Sequence, residues 1–464
     1  KSQWPGIAHL VVRRVIVQGA AMAESSATDT ARDGGRRILK NVGWLLGGKG
    51  FGAVCSLIYL AILARSLGVK DFGHFSLIFG TGLAVVELAS FQTWQMVVRY
   101  GTQHVAKKDW DAFGRLAMGG GLIDLTGALL GCLVAWIAII YFGSSLTLNP
   151  AYTDMAFGFV CALVLARVSA PQGVMRTLDR YDMAVTAGAI TPIARLLAAV
   201  YIWWSGATVA KFLFAWASIE LFSAFLYWVL ARRLAPQSIR LSNLFHLGRM
   251  WNENPGVLKF LGITYGSTSL WGAVQQGPLL AVGYFLGTSA AGVYRIADQL
   301  AKGLGKLATL SAQALYPEVN RQRHSSPHDQ FRKLVKRINI IVLIAGTLLV
   351  AVTIAIGGHI LELIGGADFA RGGPVLIPLV LAASLELASV SYEPVLHAHG
   401  KAHYQLFARL FTLATMALLI LWLVGGGPVW AGWAVALAVI AGYLFTSFLV
   451  WRVIRNGGME ADQS

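Results

Sequence analysis

Charge is scarce in this chain. Of its 464 residues only 13% are Asp, Glu, Lys or Arg, about half the roughly 25% of a soluble protein. A surface that poor in charge is not built to face water, and a soluble globular chain is excluded. Cysteine is almost missing. Cys55, Cys132 and Cys161 stand singly inside apolar runs, which excludes a disulfide framework and a cysteine-based metal centre. Long polar segments are missing too. No loop between apolar runs is large enough for a soluble catalytic domain, and no nucleophile–base, metal or nucleotide motif is visible. The net charge of +16 does not indicate nucleic-acid binding, because the Lys and Arg residues are dispersed through short loops.

What is present is hydrophobicity, at 56% of the residues, arranged in runs of roughly 20, long enough to span a hydrocarbon core of about 30 Å. Without water the backbone must bond to itself, so the runs are expected to be helices; the alternating segments of about 10 residues that mark a membrane β-barrel are not seen. The fold class is all-α integral membrane, with about 12 transmembrane helices. Spans are expected at 42–64, 72–97, 117–142, 155–175, 183–204, 208–231, 259–286, 292–316, 338–357, 374–397, 406–425 and 429–451. Basic residues cluster in alternate loops. Arg36, Arg37 and Lys40 precede the first span, Arg99, Lys107 and Lys108 follow the second, and Arg232 and Arg233 follow the sixth. The other loops carry little beyond Arg65, Lys70 and Arg371. This asymmetry predicts both termini in the cytoplasm. Trp203, Trp204, Trp430 and Trp433 then fall at outer ends. The stretch 7–23 is too short and too basic to span, and translation is expected to start at Met22, with residues 1–21 not native.

An internal repeat divides the spans. Leu67-Gly68, four residues, Gly73, one residue, Phe75 matches Leu286-Gly287, four residues, Gly292, one residue, Tyr294. Val174-Met175-Arg176 pairs more loosely with Val395-Leu396-His397. The expected organisation is a cytoplasmic tail (1–40), an N-lobe of helices 1–6 (41–231), a cytoplasmic linker (232–258), a C-lobe of helices 7–12 (259–455) and a second tail (456–464). Six spans per half insert the same way up, as in transporters built from parallel repeats.

Several segments resemble a known family. Lys40-Asn41-Val-Gly43-Trp44 leads into a glycine-rich first helix, which is followed by Leu63-Ala64-Arg65-Ser-Leu67-Gly68 and Asp71-Phe72-Gly73. In the second half stand Ala291-Gly292-Val-Tyr294-Arg295 and Ala314-Leu315-Tyr316-Pro317-Glu318, and Gly173-Val-Met-Arg176 and Asp179-Arg180-Tyr181-Asp182 fit the turn between the fourth and fifth helices. Together they resemble the polysaccharide transporter family. That family includes the Wzx-type O-antigen and exopolysaccharide flippases and belongs to the multidrug/oligosaccharidyl-lipid/polysaccharide (MOP) superfamily. The resemblance covers about residues 36–455. It implies two six-helix lobes around a central cavity, alternating access, and an undecaprenyl-pyrophosphate-linked glycan as cargo.

Ionisable residues inside spans are expensive and should face a cavity or a partner. Arg295, Asp298, Lys302, Lys306, Thr309 and Gln313 recur at steps of three or four, which places them on one face of the eighth helix. We read this stripe as lining a cationic cavity that binds the pyrophosphate, with Arg295, Lys302, Lys306, Lys49, Arg167 and Arg195 as the substrate-binding set. Glu87, Asp124, Glu220, Asp298 and Glu386 are read as ion-coupling or charge-pairing groups. The His397, His399 and His403 cluster is read as a solvated loop face; no metal, cofactor or catalytic residue is expected.

The expected function is a flippase for polyprenyl-(pyro)phosphate-linked oligosaccharide in a bacterial inner membrane. The alternatives are a multidrug cation antiporter of the same superfamily and a membrane glycan polymerase or glycosyltransferase. Expected partners are the lipid-linked oligosaccharide, membrane lipids and the polysaccharide polymerase and chain-length machinery, with no nucleic acid and a monomer as the working unit.

Overall fold

A computed structural model describes residues 51–142, 149–320, 327–389 and 403–461, with Tyr392 and Leu396. Among them no strand occurs. The helices are α1 (51–89), α2 (Thr93–Ala106), α3 (Trp110–Phe142), α4 (Thr153–Leu165), α5 (Ala170–Thr177), α6 (Tyr181–Trp204), α7 (Val209–Leu234) and α8 (Leu247–Glu253) in the first half. The second half has α9 (Val257–Leu286), α10 (Thr288–Asn320), α11 (Pro327–Gly365), the short α12 (Ala367–Ala370), α13 (Gly373–Ser389), α14 (His403–Leu423) and α15 (Pro428–Ala461).

Eight stretches among the described residues are long and apolar enough to cross a membrane. One of them, 51–106, makes two passes. Tyr59 and Phe79 both lie about Arg195, at 6.0 and 5.4 Å from its guanidinium carbon. Along a straight helix they would be about 30 Å apart, so the chain doubles back between them. The turn is at Gly68, whose φ of 71° is left-handed and suits a residue without Cβ. Helices α9, α10 and α13 are more polar or shorter, and with them the described residues make twelve passes. The outward faces carry exposed Leu129, Leu130, Trp136, Leu418 and Trp422, as hydrocarbon solvent requires. Trp203, Trp204 and Trp430 are exposed at the end with few basic residues, at the interface depth amphipathic rings prefer.

Two expected spans are discontinuous. The second breaks at 90–92, where Gln92 has a φ of 51°, and the fourth breaks at 166–169. The two breaks lie side by side. Asp124 on α3 joins them: Oδ1 accepts from the Thr93 hydroxyl at 2.7 Å, and Oδ2 accepts from the Ser169 and Ala170 N–H groups, each at 2.9 Å. The Trp94 N–H donates to Ser169 Oγ at 3.0 Å. A backbone opened inside a bilayer must find partners, and one carboxylate takes two of its N–H groups together with a hydroxyl. Toward the basic end, below the breaks, Met96, Val97, Phe113, Val174, Ala231, Met250 and Leu261 form a second hydrophobic core, separate from the large one that unites both halves. Asp124→Ala is expected to lower stability by about 3 kcal/mol, since three donors lose their acceptor at once. A thermal melt in detergent checks this, and an unchanged midpoint would refute it.

The repeat becomes a physical contact at the end with few basic residues. A Cβ on Gly73 would overlap the carbonyl of Thr288, and one on Gly292 would lie 2.6 Å from the carbonyl of Val69. Under the shift between the two motifs, Gly73 corresponds to Gly292 and Val69 to Thr288. Each half therefore touches the other with equivalent residues, about an axis passing between the two glycines. Gly287 turns the chain before α10 with a left-handed φ of 84°, as Gly68 does in the first half. Beside this seam Arg65 donates to the Leu363 and Ile364 carbonyls at 2.6 and 3.3 Å, and Phe72 meets Phe369 edge to face at 5.6 Å. Further along, the Tyr265 hydroxyl donates to the Leu88 carbonyl at 2.8 Å and its ring stacks on Phe91 at 4.8 Å.

Candidate functional site

Just inside the glycine seam, two buried guanidiniums meet at one aromatic ring. Arg195 comes from α6 in the first half and Arg295 from α10 in the second. Their guanidinium carbons lie 5.4 and 5.5 Å from the centre of the Phe79 ring. Their side chains are 11% and 6% exposed, too little for water to screen them. Like charges this close would repel strongly in a low dielectric. Glu220 and Asp298 hold them in place. Arg195 Nη2 donates to Glu220 Oε1 at 2.7 Å, and Arg295 Nη1 lies 4.0 Å from Asp298 Oδ2.

Arg195 also sits in an aromatic box. The Trp216 ring lies 5.4 Å from its guanidinium carbon, and Nη1 is 3.4 Å from the Tyr59 hydroxyl. Its Nε–H is buried and finds no hydrogen-bond acceptor among the described residues. A buried donor left in that state costs about 1–3 kcal/mol and marks a place prepared for a further acceptor.

Lys302 lies seven residues along α10 from Arg295, about 10 Å at 1.5 Å per residue. Its Nζ donates to Asp298 Oδ2 at 2.9 Å and to the Gln275 carbonyl at 3.4 Å. Asp298 is thus shared by two cations and leaves one positive charge over. Glu386 accepts from Gln275 Nε2 at 3.5 Å. Arg167 lies in the break of the fourth span, its Nη2 3.8 Å from Glu87.

Of the residues singled out by charge, Arg195, Arg295, Lys302, Glu220 and Asp298 gather around the join of the two halves. Glu386 and Glu87 lie beside the cavity that opens off it, and Arg167 reaches the cluster only through Glu87. Asp124 stands apart, bonded to the two helix breaks rather than to a cation. Lys49, His397 and His399 lie outside the described residues, as do the side chains of Lys306, Thr309, Gln313 and His403. The described cations Arg167, Arg195 and Arg295 each face a carboxylate, so the site offers directed donors more than a bare surplus of charge. No group of three or more potential metal ligands occurs among the described residues.

Sequence reasoning found Glu87, Lys302 and Glu386 on the wall of that cavity and missed the rest of it. A space of about 630 Å³ is lined by residues including Trp271, Gln275, Gln299, Lys302, Glu386, Gln405 and Arg409. Arg409 Nη1 donates to the Ser267 carbonyl at 2.9 Å and to its hydroxyl at 2.6 Å, and its guanidinium lies 5.4 Å over the Trp271 ring. The available signal was the recurrence of glutamine inside apolar spans. Phe79 gave none, because an aromatic in a span reads as core.

Comparison with known proteins fits this geometry. Residues 38–322 match the family described as polysaccharide biosynthesis protein. The inner membrane protein YghQ of Escherichia coli (strain K12) is 27% identical over 289 residues, covering 62% of this chain and 81% of that protein. Among solved structures, the lipid II flippase MurJ in an inward closed conformation aligns with a TM-score of 0.65 at 14% identity, over 88% of this chain and 87% of that one. An inward-facing multidrug resistance MATE family transporter of the MOP superfamily aligns at 0.62 and 13%, over 87% and 96%. A MOP superfamily transporter from Pyrococcus furiosus, described for the reverse polarity of its binding pocket, aligns at 0.60 and 15%, over 89% and 96%. At these identities the structures establish a shared fold.

Proposed function

The chain belongs to the polysaccharide biosynthesis protein family, and from that premise we propose that it is a flippase, moving a polyprenyl-(pyro)phosphate-linked oligosaccharide from the cytoplasmic to the periplasmic leaflet of a bacterial inner membrane by alternating access. The observation that carries this reading is the meeting of Arg195 and Arg295 at Phe79, one from each half. Guanidiniums bind phosphate oxygens through short, directed, charge-assisted hydrogen bonds. An anion held between them is held by both lobes at once. It competes with Glu220 and Asp298 for the same donors and takes up the free Nε–H of Arg195. Because one guanidinium comes from each half, binding draws on both lobes and biases the balance between their two arrangements, and the lobes rock.

We take the end with the basic loops as cytoplasmic, in keeping with the positive-inside rule. The glycine seam then closes the periplasmic end. The polyprenyl tail stays in lipid. Outward movement of negative charge is downhill by about 2.3 kcal/mol per charge per 100 mV if the full field is crossed, so the membrane potential favours export. The protein works as a monomeric carrier, and its product feeds the polymerase and chain-length machinery. The relative from Escherichia coli, named as an inner membrane protein, supports the location.

A multidrug cation antiporter needs carboxylates free to receive a cation. Here Glu87, Glu220 and Asp298 are each engaged by Arg or Lys, which favours an anionic cargo. The test is reconstitution. Proteoliposomes holding the purified protein should expose inner-leaflet lipid-linked oligosaccharide to an impermeant lectin at least about tenfold faster than empty vesicles, a barrier change of about 1.4 kcal/mol. Equal rates, with export of cationic dyes instead, would refute the reading.

A further inference from the structure

We infer that the cavity in the second half is the carrier's sugar-recognition site and takes the first, uncharged sugar units of the lipid-linked head group. This rests on the flippase reading above. The cavity opens directly off the cation cluster, because Lys302 belongs to both: it bonds Asp298 and lines the wall. A head group whose phosphates are held near Arg295 therefore places its first sugars in this space.

The chemistry of the wall selects the ligand class. Four carboxamides, Gln275, Gln276, Gln299 and Gln405, line it together with Trp271 and Tyr443. A carboxamide both donates and accepts, which matches a sugar hydroxyl or acetamido group, itself donor and acceptor. Gln276 Oε1 is buried with no donor among the described residues. Polar groups at membrane depth are expensive unless paired, so a wall of this kind is retained for something polar that visits it. The volume, about 630 Å³, falls in the usual range of about 300–1,000 Å³ for small-molecule sites. Trp271, fixed beneath the Arg409 guanidinium, offers a rigid aromatic surface for the C–H face of a pyranose ring.

Other occupants fit less well. An organic cation would meet Lys302 and Arg409. An anionic group would meet Glu87 and Glu386. The charges on the wall are of both signs, and a neutral, hydroxylated ligand is the one that leaves none of them unbalanced.

The test compares two kinds of lipid on the purified full-length protein. Undecaprenyl diphosphate is the sugar-free probe; the sugar-bearing probes are undecaprenyl diphosphate carrying one hexose and undecaprenyl diphosphate carrying one N-acetylhexosamine. The wild type should bind at least one sugar-bearing probe about tenfold more tightly than the sugar-free one. The double variant Gln299→Leu, Gln405→Leu should lose that preference, to within about twofold, while binding the sugar-free probe as before. Retained binding of the sugar-free probe also reports that the variant is folded. Should the double variant fail that control, Thr446→Val, a nearly isosteric change on the same wall, takes its place and should reduce the preference. A wild type that binds all probes equally, or variants that keep the full preference, would overturn the sugar site and leave the carrier reading standing. A wild type that binds none of the probes would overturn both.

Discussion

Arg195→Gln combined with Glu220→Gln is expected to leave a folded protein that carries its cargo at least about a hundredfold more slowly. The two changes belong together. Arg195→Ala alone strands the Glu220 carboxylate beside a buried aromatic box, and an unpaired charge in such a place costs several kcal/mol in stability. A failed fold would then be mistaken for a failed site. With both groups neutralised the desolvation problem disappears, and only the directed donors are lost. Two charge-assisted hydrogen bonds at about 1.5 kcal/mol or more each correspond to the hundredfold. Arg295→Lys separates shape from charge. Lysine keeps the charge and loses the planar fork, so it should recover only part of the rate. Both variants are read in the proteoliposome assay with a melt as control. Wild-type rates in the double variant would remove Arg195 from the carrier's path.

The second large effect is expected at the glycine seam. Gly73→Val and Gly292→Val each place branched carbon where the opposite backbone now lies. A carbonyl cannot yield as a side-chain tip can, so the two halves must part at that end. Overpacking of this kind costs about 1–3 kcal/mol, occasionally more, a shift of about 5- to 160-fold in the balance between the two arrangements. The change is visible directly. Ser76, fully buried one turn from Gly73, is replaced by cysteine in a chain whose Cys55, Cys132 and Cys161 are alanine. In the parent an impermeant maleimide should leave the cysteine at that position unlabelled; in either valine variant it should label it nearly completely, with transport below about a tenth of the parent's. Protection of the thiol in both valine variants would show that the glycines do not hold that end shut.

These features differ in how far they could be read in advance. The passes follow from hydropathy, because a bilayer leaves the backbone no choice. The repeat was readable because Leu-Gly and the second glycine of each motif answer backbone demands: a left-handed turn at Gly68 and Gly287 and a near contact at Gly73 and Gly292. That the two copies touch each other was not readable, since a motif reports its own conformation and not its neighbour. The breaks at 90–92 and 166–169 escaped for a related reason. What ties them together is Asp124, remote from both in the chain, and no local pattern around Thr93 or Ser169 shows that a distant carboxylate will accept the Thr93 hydroxyl and the Ser169 and Ala170 N–H groups. In the site, Arg195 and Arg295 stood out because charge in a span is rare, whereas Phe79, Gln299 and Gln405 looked like ordinary content of a polar-flecked membrane helix.

The reciprocal contact at the seam has a meaning for descent. Gly73 against Thr288 and Gly292 against Val69 is what two identical chains make across a two-fold axis, where one patch meets its own copy. In an unfused six-helix ancestor, one codon would have governed both sides of the joint, and any substitution there would have struck twice. In a single chain each side of the joint is free to change by itself: Arg65 is answered by Tyr284 and Phe72 by Ala291, while the two glycines remain paired. The joint is the place where equivalent positions of the two halves still meet as a two-fold pair.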